Sequence, residues 1–393
     1  MNYEKLISKT LNDIKPSGIR KFFDLLADMS DVTALTVGQP DFVTPWHVRA
    51  AAIESLERGE TYYTSNAGMP ELRLELSKYL KRRFDLDYPT DELLVTVGGS
   101  EAIDVAIRSL VNPGDEVIVP MPSFVCYEPI ARMAGAAVVT INTRPEDGFK
   151  LTADALREAI TEKTKLLVLP YPNNPTGAIL ERGELEEIAK VLRGTDVLVL
   201  SDEIYAELTF GKTHVSIASM EGMRERTIIA SGFSKSYAMT GWRLGYLAAP
   251  KPLLSAMLKL HQYAIMCAPT TSQAAAIEAL REGDGDIATM HAEYNRRRVF
   301  IHEGLTRIGL PCLLPEGAFY IYPYIGGFGL TSEEFCERLL KEEKCAIVPG
   351  TAFGDCGEGY ARISYAYSVK HISDAIEKIE RFVKRLESEK ANG

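Results

Sequence analysis

The sequence predicts an α/β protein: a largely parallel sheet covered by helices on both faces, joined to a smaller α+β unit. Three observations support this. Short apolar runs recur between about residues 90 and 250, helix-period stretches lie between several of them, and the texture changes after about residue 290. A strand that is apolar at every position is buried on both faces, as in a parallel sheet with helical crossovers.

In chain order the runs are "LLVTV" (93–97), "EVIVP" (116–120), "KLLVLP" (165–170), "VLVLS" (197–201) and "TIIAS" (227–231). After the first, Ala102, Ile103, Ala106, Ile107 and Leu110 recur at helical period and predict a helix laid on the sheet. In the C-terminal part, "GAFYIYPYI" (317–325) and "GYARISYAYS" (359–368) predict strands around a helix opening "LTSEEFCERLL". Thr331 and Glu334 there fit a capping box. Ile372, Ile376, Ile379, Val383 and Leu386 form the apolar stripe of a final amphipathic helix. The expected division is a large domain over 45–290 and a small one built from 1–44 and 291–393, with the boundary inside 280–300.

The chain has 393 residues, 46% hydrophobic and 25% charged, which suits a soluble globular protein with room for two or three domains. A net charge of −10 disfavours a nucleic-acid or anionic-membrane partner. The six cysteines (126, 267, 312, 336, 345 and 356) contain no C-x-x-C pair, so free thiols in a reducing compartment fit better than disulfides or a metal site. "MNYEKLISKT" carries charges where a signal peptide needs an apolar segment, and no apolar run approaches the roughly 18 residues of a membrane helix. A cytoplasmic protein with no metal is expected.

Four of the predicted strands end in unusual polar residues. Gly98-Gly99-Ser100-Glu101 opens a helix after the first, where free N–H groups, the helix dipole and a hydroxyl can hold a phosphate. A glycine turn before a helix is, however, ordinarily only a turn. "YPNNPTG" (171–177) is a rigid turn that is either a plain loop or a mount for the Asn174 amide. Asp202, Glu203 and Tyr205 follow the fourth run. An acid there is either a helix cap or a carboxylate awaiting a cation, since burying it unpaired is costly. After the fifth come Ser234, Lys235 and Arg243, with Phe233, Tyr237, Ala238, Met239 and Trp242 around them. Desolvation and a neighbouring cation would each lower the lysine pKa toward the neutral amine that a Schiff base requires. Together these loops offer the four things a pyridine aldehyde phosphate needs: an amine, a carboxylate for the ring nitrogen, donors for the phenolic oxygen and a phosphate cup.

In this combination the chain resembles the class I/II aminotransferases, pyridoxal 5'-phosphate enzymes of fold type I, from "TVGQPDFVTP" (36–45) to "ARISYA" (361–366). The resemblance implies a mostly parallel seven-stranded sheet in the large domain and a homodimer with shared active sites. It implies that Lys235 in "GFSKSYAMTGWRLGY" is the Schiff-base lysine and proton shuttle, Asp202 the partner of the pyridine nitrogen and Tyr205 a donor to the phenolic oxygen. Asn174 would reach that oxygen or the substrate carboxylate. Arg243, Ser234, Gly99 and the backbone of Ser100 and Glu101 would form the phosphate cup, and Phe124 in "PSFVCY" would stack on the ring. Arg362 would pair bidentately with the substrate α-carboxylate, which suits its planar fork, and Gly38 would add a backbone contact. Tyr63 would cross the dimer to the neighbour's phosphate. One departure is Gly232, where many members carry serine; the phosphate contact then falls to Ser234 first and Ser231 second.

Dicarboxylate enzymes of the family often supply a second arginine after the lysine segment, and "MCAPTTSQAAA" (266–276) has none. "IKPSGIRKFFDL" (14–25) and the lysine segment resemble the aromatic or broad-range subgroup, which also contains aspartate enzymes. The expected activity is amino transfer from an aromatic or broad-range amino acid, with aspartate next, to a 2-oxo acid such as 2-oxoglutarate. A carbon–sulfur β-lyase is the alternative on the same residues, and a non-catalytic cofactor-sensing regulator is a remote one.

Overall fold

A computed structural model describes residue 1, residues 3–14, 16 and 18, and residues 31–392. Most of the 14–25 segment therefore lies outside the described residues. Twelve strands are present among those described: β1 (Thr33–Ala34), β2 (Leu93–Thr96), β3 (Glu116–Met121), β4 (Ala137–Asn142), β5 (Thr164–Leu169), β6 (Leu198–Asp202), β7 (Thr227–Gly232), β8 (Gly245–Ala248), β9 (Tyr320–Ile321), β10 (Cys345–Ala346), β11 (Val348–Pro349) and β12 (Ala361–Ser364).

Seven of them form one sheet in the order β2-β8-β7-β6-β5-β3-β4. Only β8 runs against its neighbours, β2 and β7; the other four pairings are parallel. The five apolar runs are β2, β3, β5, β6 and β7, each shifted by no more than a residue at either end. Their double burial is visible residue by residue. Leu166, Val168 and Leu200 pack with Ala102, Ile103 and Ala106 of the helix Gly98–Leu110 on one face. Leu167, Leu169 and Val199 pack with Ile188 and Leu192 of the helix Arg182–Leu192 on the other. Because side chains alternate along a strand, this places Asp202 on the Leu200 face and Glu203 on the Val199 face. That alternation decides which acid reaches the site.

The C-terminal part holds the antiparallel sheet β11-β12-β9 and the parallel pair β1–β10. The predicted strand over 317–325 shrinks to Tyr320–Ile321, since Pro323 has no N–H to extend a ladder. The helix Ser332–Glu343 opens on the predicted reciprocal Thr331–Glu334 cap. In the helix Val369–Asn392, Ile372, Ile376, Ile379, Val383 and Leu386 are all buried, against Phe335, Leu339 and Leu305. The helix Asp284–Arg307 runs unbroken through residue 290. All six cysteines are free thiols, and none of the described helices is long and apolar enough to cross a membrane.

Candidate active site

A cavity of about 260 Å³ opens beyond the carboxyl ends of β2, β3, β5, β6 and β7. In a parallel sheet this is where loops from several strands converge on a ligand. Gly38, Gly99, Ser100, Phe124, Asn174, Asp202, Tyr205, Ser234, Lys235, Arg243 and Arg362 all line it. Glu101 and Tyr63 do not. The Glu101 carboxylate accepts the Val97 N–H and lies 2.6 Å from Nδ1 of the fully buried His261, so only its backbone can serve the cavity. Tyr63 is 78% exposed, away from this cavity.

Lys235 follows β7 on a segment that the apolar side chains of Phe233, Tyr237 and Met239 anchor in the interior. Its Nζ donates to the Gly38 carbonyl at 2.7 Å. Burial, then the cations Arg243 and Arg362, bring its pKa down to about 8, with Asp202 opposing them. A primary amine that is partly neutral near pH 8 is a usable nucleophile and base.

Asp202 ends β6 almost completely buried. Its Oδ2 accepts from the Tyr127 hydroxyl at 2.7 Å and its Oδ1 from the Ile204 N–H at 3.2 Å. Burial pushes its pKa up to about 6 despite those two donors. The carboxylate therefore has two hydrogen bonds and no counter-cation bonded to it. Glu203, on the opposite face, accepts from the hydroxyls of Ser201 and Ser216 and lies 2.9 Å from His214 Nε2. It is satisfied within the core, whereas Asp202 faces open space.

Arg362, on β12, is 3% exposed. Its Nη1 donates to Asn174 Oδ1 at 3.0 Å and its Nη2 to the Thr36 carbonyl at 2.5 Å. Its guanidinium carbon lies 4.5 Å and 4.8 Å from the ring centres of Tyr320 and Phe353. The Nε hydrogen has no partner, a sign that the fork is held ready for a further acceptor. Tyr205 and Tyr320 share a hydrogen bond of 2.8 Å between their hydroxyls. Gly38 has to be glycine, since a Cβ there would fall 2.1 Å from the Tyr320 hydroxyl.

The helix Gly98–Leu110 aims its N-terminus at the cavity. Gly98 has φ +79°, and a Cβ would meet Arg243 Nη2 at 2.6 Å, so only glycine allows the guanidinium this close. The departure at Gly232 has a similar cause. A Cβ there would sit 2.9 Å from Gly245 Cα and from the Leu244 carbonyl oxygen, across the β7–β8 pairing. A serine hydroxyl is thus excluded by backbone proximity. Ser231 donates to the Glu203 carbonyl and lies outside the cavity lining, whereas Ser234 lines it.

Sequence reasoning missed Tyr127, Tyr320 and Thr36, all at the cavity wall. Tyr127 lies three residues beyond Phe124 in "PSFVCY", and its hydroxyl was the available signal. The donor set fits a pyridine aldehyde phosphate on its chemistry: a low-pKa amine, a buried carboxylate without a cation, a phenol pair, and a helix N-terminus beside a guanidinium.

Comparison with known proteins gives the family. The family model described as aminotransferase class I and II matches residues 30–379. A putative aminotransferase of Bacillus subtilis, YugH, is 53% identical, with 96% of this chain and 98% of the relative aligned. A probable N-acetyl-LL-diaminopimelate aminotransferase of the same organism is 46% identical over 97% and 96% of the two chains. The crystal structure of an aromatic aminotransferase from Pyrococcus horikoshii superposes with a TM-score of 0.88 at 42% identity, covering 93% of this chain and 99% of that one.

Proposed function

The chain belongs to the class I and II aminotransferase family, and from that premise we propose that Lys235, Asp202 and Arg362 divide the chemistry of amino transfer between them. When bound, pyridoxal 5'-phosphate supplies an aldehyde for amines and a protonated ring that withdraws electrons from the carbon losing its proton. Everything else falls to the chain. Arg362 binds the α-carboxylate of the amino acid, and Asn174 fixes the plane of the guanidinium. Asp202 holds the positive charge at the ring nitrogen, Tyr205 donates to the phenolic oxygen and Phe124 covers the ring. Gly99, Ser100, Glu101 N–H, Ser234 and Arg243 hold the phosphate. Lys235 would remove the proton from the substrate Cα and give it back, as general base and then acid. The observation that carries this assignment is the convergence of a buried low-pKa amine, a buried carboxylate and a stacked guanidinium on one cavity.

For the donor we propose an aromatic or broad-range amino acid, with aspartate next and 2-oxoglutarate as acceptor. Each cation lining the cavity, Lys235, Arg243 and Arg362, already has a task, and none of the other described lining residues is cationic. The wall bears Phe124, Tyr127 and Tyr320. The test is titration of the holoenzyme with a panel of amino acids. An accepted donor converts absorbance near ~420 nm to absorbance near ~330 nm, as the cofactor takes up the amine. Aromatic donors should do so at the lowest concentrations. Release of pyruvate and ammonia from cystathionine with no 2-oxo acid present would instead identify a β-lyase.

We also propose a homodimer in which the partner supplies the tyrosine that the cavity lacks, with 45–290 as the cofactor domain and 1–44 plus 291–393 as the small one. Tyr62, Tyr63, Tyr263, Ile265 and Met266 are all exposed. Thr270 bonds to the Tyr62 carbonyl and Asn66 to the Met266 carbonyl, drawing them into one region. A cluster of that kind on a protein surface marks a contact site. Light scattering should return twice the 43.5 kDa chain mass; a monomer at working concentration would refute the shared site.

A further inference from the structure

Tyr320 stands where three loops of the cavity meet. Its hydroxyl lies 2.8 Å from that of Tyr205, its ring carries the Arg362 guanidinium at 4.5 Å, and its carbonyl backs onto the "NNPTG" turn, where a Cβ on Gly177 would reach it at 3.0 Å. The Gly38 backbone abuts the hydroxyl from the remaining side. One residue thus touches both the group assigned to the substrate carboxylate and the group assigned to the cofactor's phenolic oxygen.

Each phenol has one proton. If Tyr205 donates to the phenolic oxygen, its own oxygen can only accept from Tyr320. We propose that Tyr320 is a positioning residue which, by donating to Tyr205, aims the Tyr205 proton at the cofactor's phenolic oxygen and so sets how much charge that oxygen keeps. The inference rests on the cofactor assignment above. The charged groups around the two phenols fit this direction. Burial raises the pKa of both phenols; Arg362, against the Tyr320 ring, opposes that rise at each, whereas Asp202 adds to it at Tyr205, which leaves Tyr320 the better donor. Lys235 Nζ is 6.0 Å from the Tyr205 ring centre, and Asp202 acts on Tyr205 in the opposite sense. Hydrogen-bond chains of this kind strengthen each link.

In a Schiff base of an ortho-hydroxy aldehyde, the nitrogen shares its proton with the hydroxyl oxygen. Draining charge from that oxygen loosens the proton, and losing the drain tightens it. The test is a spectroscopic pH titration of substrate-free holoenzyme, with cofactor affinity measured separately by fluorescence quenching of the apo-protein. Tyr320→Phe keeps the ring under Arg362 and removes only the hydroxyl. Its chromophore pKa should rise by roughly one pH unit, the scale on which one hydrogen bond changes a protonation equilibrium. Its kcat should fall about tenfold while KM for the amino donor stays within about twofold. Tyr320→Leu, which also removes the ring, should raise KM as well. In a Tyr205→Phe background, adding Tyr320→Phe should change nothing further, because Tyr320 acts only through the Tyr205 hydroxyl. An unchanged chromophore pKa in Tyr320→Phe, or additive effects in the double variant, would overturn the proposal. A wild-type protein that forms no chromophore with pyridoxal 5'-phosphate would overturn the cofactor assignment itself, so the two failures are distinguishable.

Discussion

Lys235→Ala is expected to lower kcat on the order of 10⁴-fold, the upper range for loss of a positioned acid–base group. The same change should leave the protein folded. The native amine is buried against its preference, as its lowered pKa records, and its bonded partner, the Gly38 carbonyl, borders the cavity where water can replace it. Loss of activity with stability equal to or above that of wild type is therefore the expected pairing. The pH dependence of cofactor uptake by the wild-type apo-protein checks the same assignment from another side. Below the Lys235 pKa of about 8 the amine is protonated and cannot attack an aldehyde. The uptake rate should rise about tenfold per pH unit up to that value and level off above it. Turnover retained by Lys235→Ala, or peptide mapping that finds the cofactor on another lysine, would end the assignment.

Much of this site was legible in the sequence because its residues are chemically out of place where they stand. A carboxylate closing an apolar strand and a lysine among aromatics need a reason, and Asp202 and Lys235 meet in one cavity. The strands β2, β3, β5, β6 and β7 were legible for the complementary reason, being apolar on both faces. The edge strand β4 was not, since only Ile141 of its six residues is buried and its pattern is that of a surface segment. β8 was hidden as well: four residues beginning at Gly245, inside a stretch dominated by its lysine and arginine. Tyr127 and Tyr320 escaped because an aromatic in an apolar run looks like core until its partner is known. The partner of Tyr127 is Asp202, and those of Tyr320 are Tyr205 and Arg362, all on distant segments. That the Glu101 carboxylate holds His261 rather than entering the cavity needed the helix in place to be seen.

Asp202→Asn should have opposite effects on activity and on the stability of the empty protein. The substitution keeps the shape and leaves one oxygen to accept from Tyr127, but gives up the hydrogen bond from the Ile204 N–H and removes the charge that would keep the ring nitrogen protonated. Removing one partner of a buried ion pair costs about 3–5 kcal/mol, so kcat should fall roughly 10²–10⁴-fold. A cofactor methylated on its ring nitrogen carries a permanent positive charge and should restore much of that loss, since it no longer depends on the carboxylate for its protonation. Stability runs the other way. Burial raises the Asp202 pKa from 3.8 to about 6 in the cofactor-free chain. A carboxylate with a raised folded-state pKa costs stability as pH climbs through that window: the penalty is absent below 3.8 and fully present above about 6. Asparagine has no such penalty but loses the Ile204 hydrogen bond, so at pH 7 the apo-variant should be more stable than wild type by about 1–2 kcal/mol in urea unfolding. That gain should vanish toward pH 3.5. If the variant keeps wild-type kcat, or if the methylated cofactor restores nothing, the carboxylate does not serve the ring nitrogen. The energy of burying an unpaired charge would then need another use.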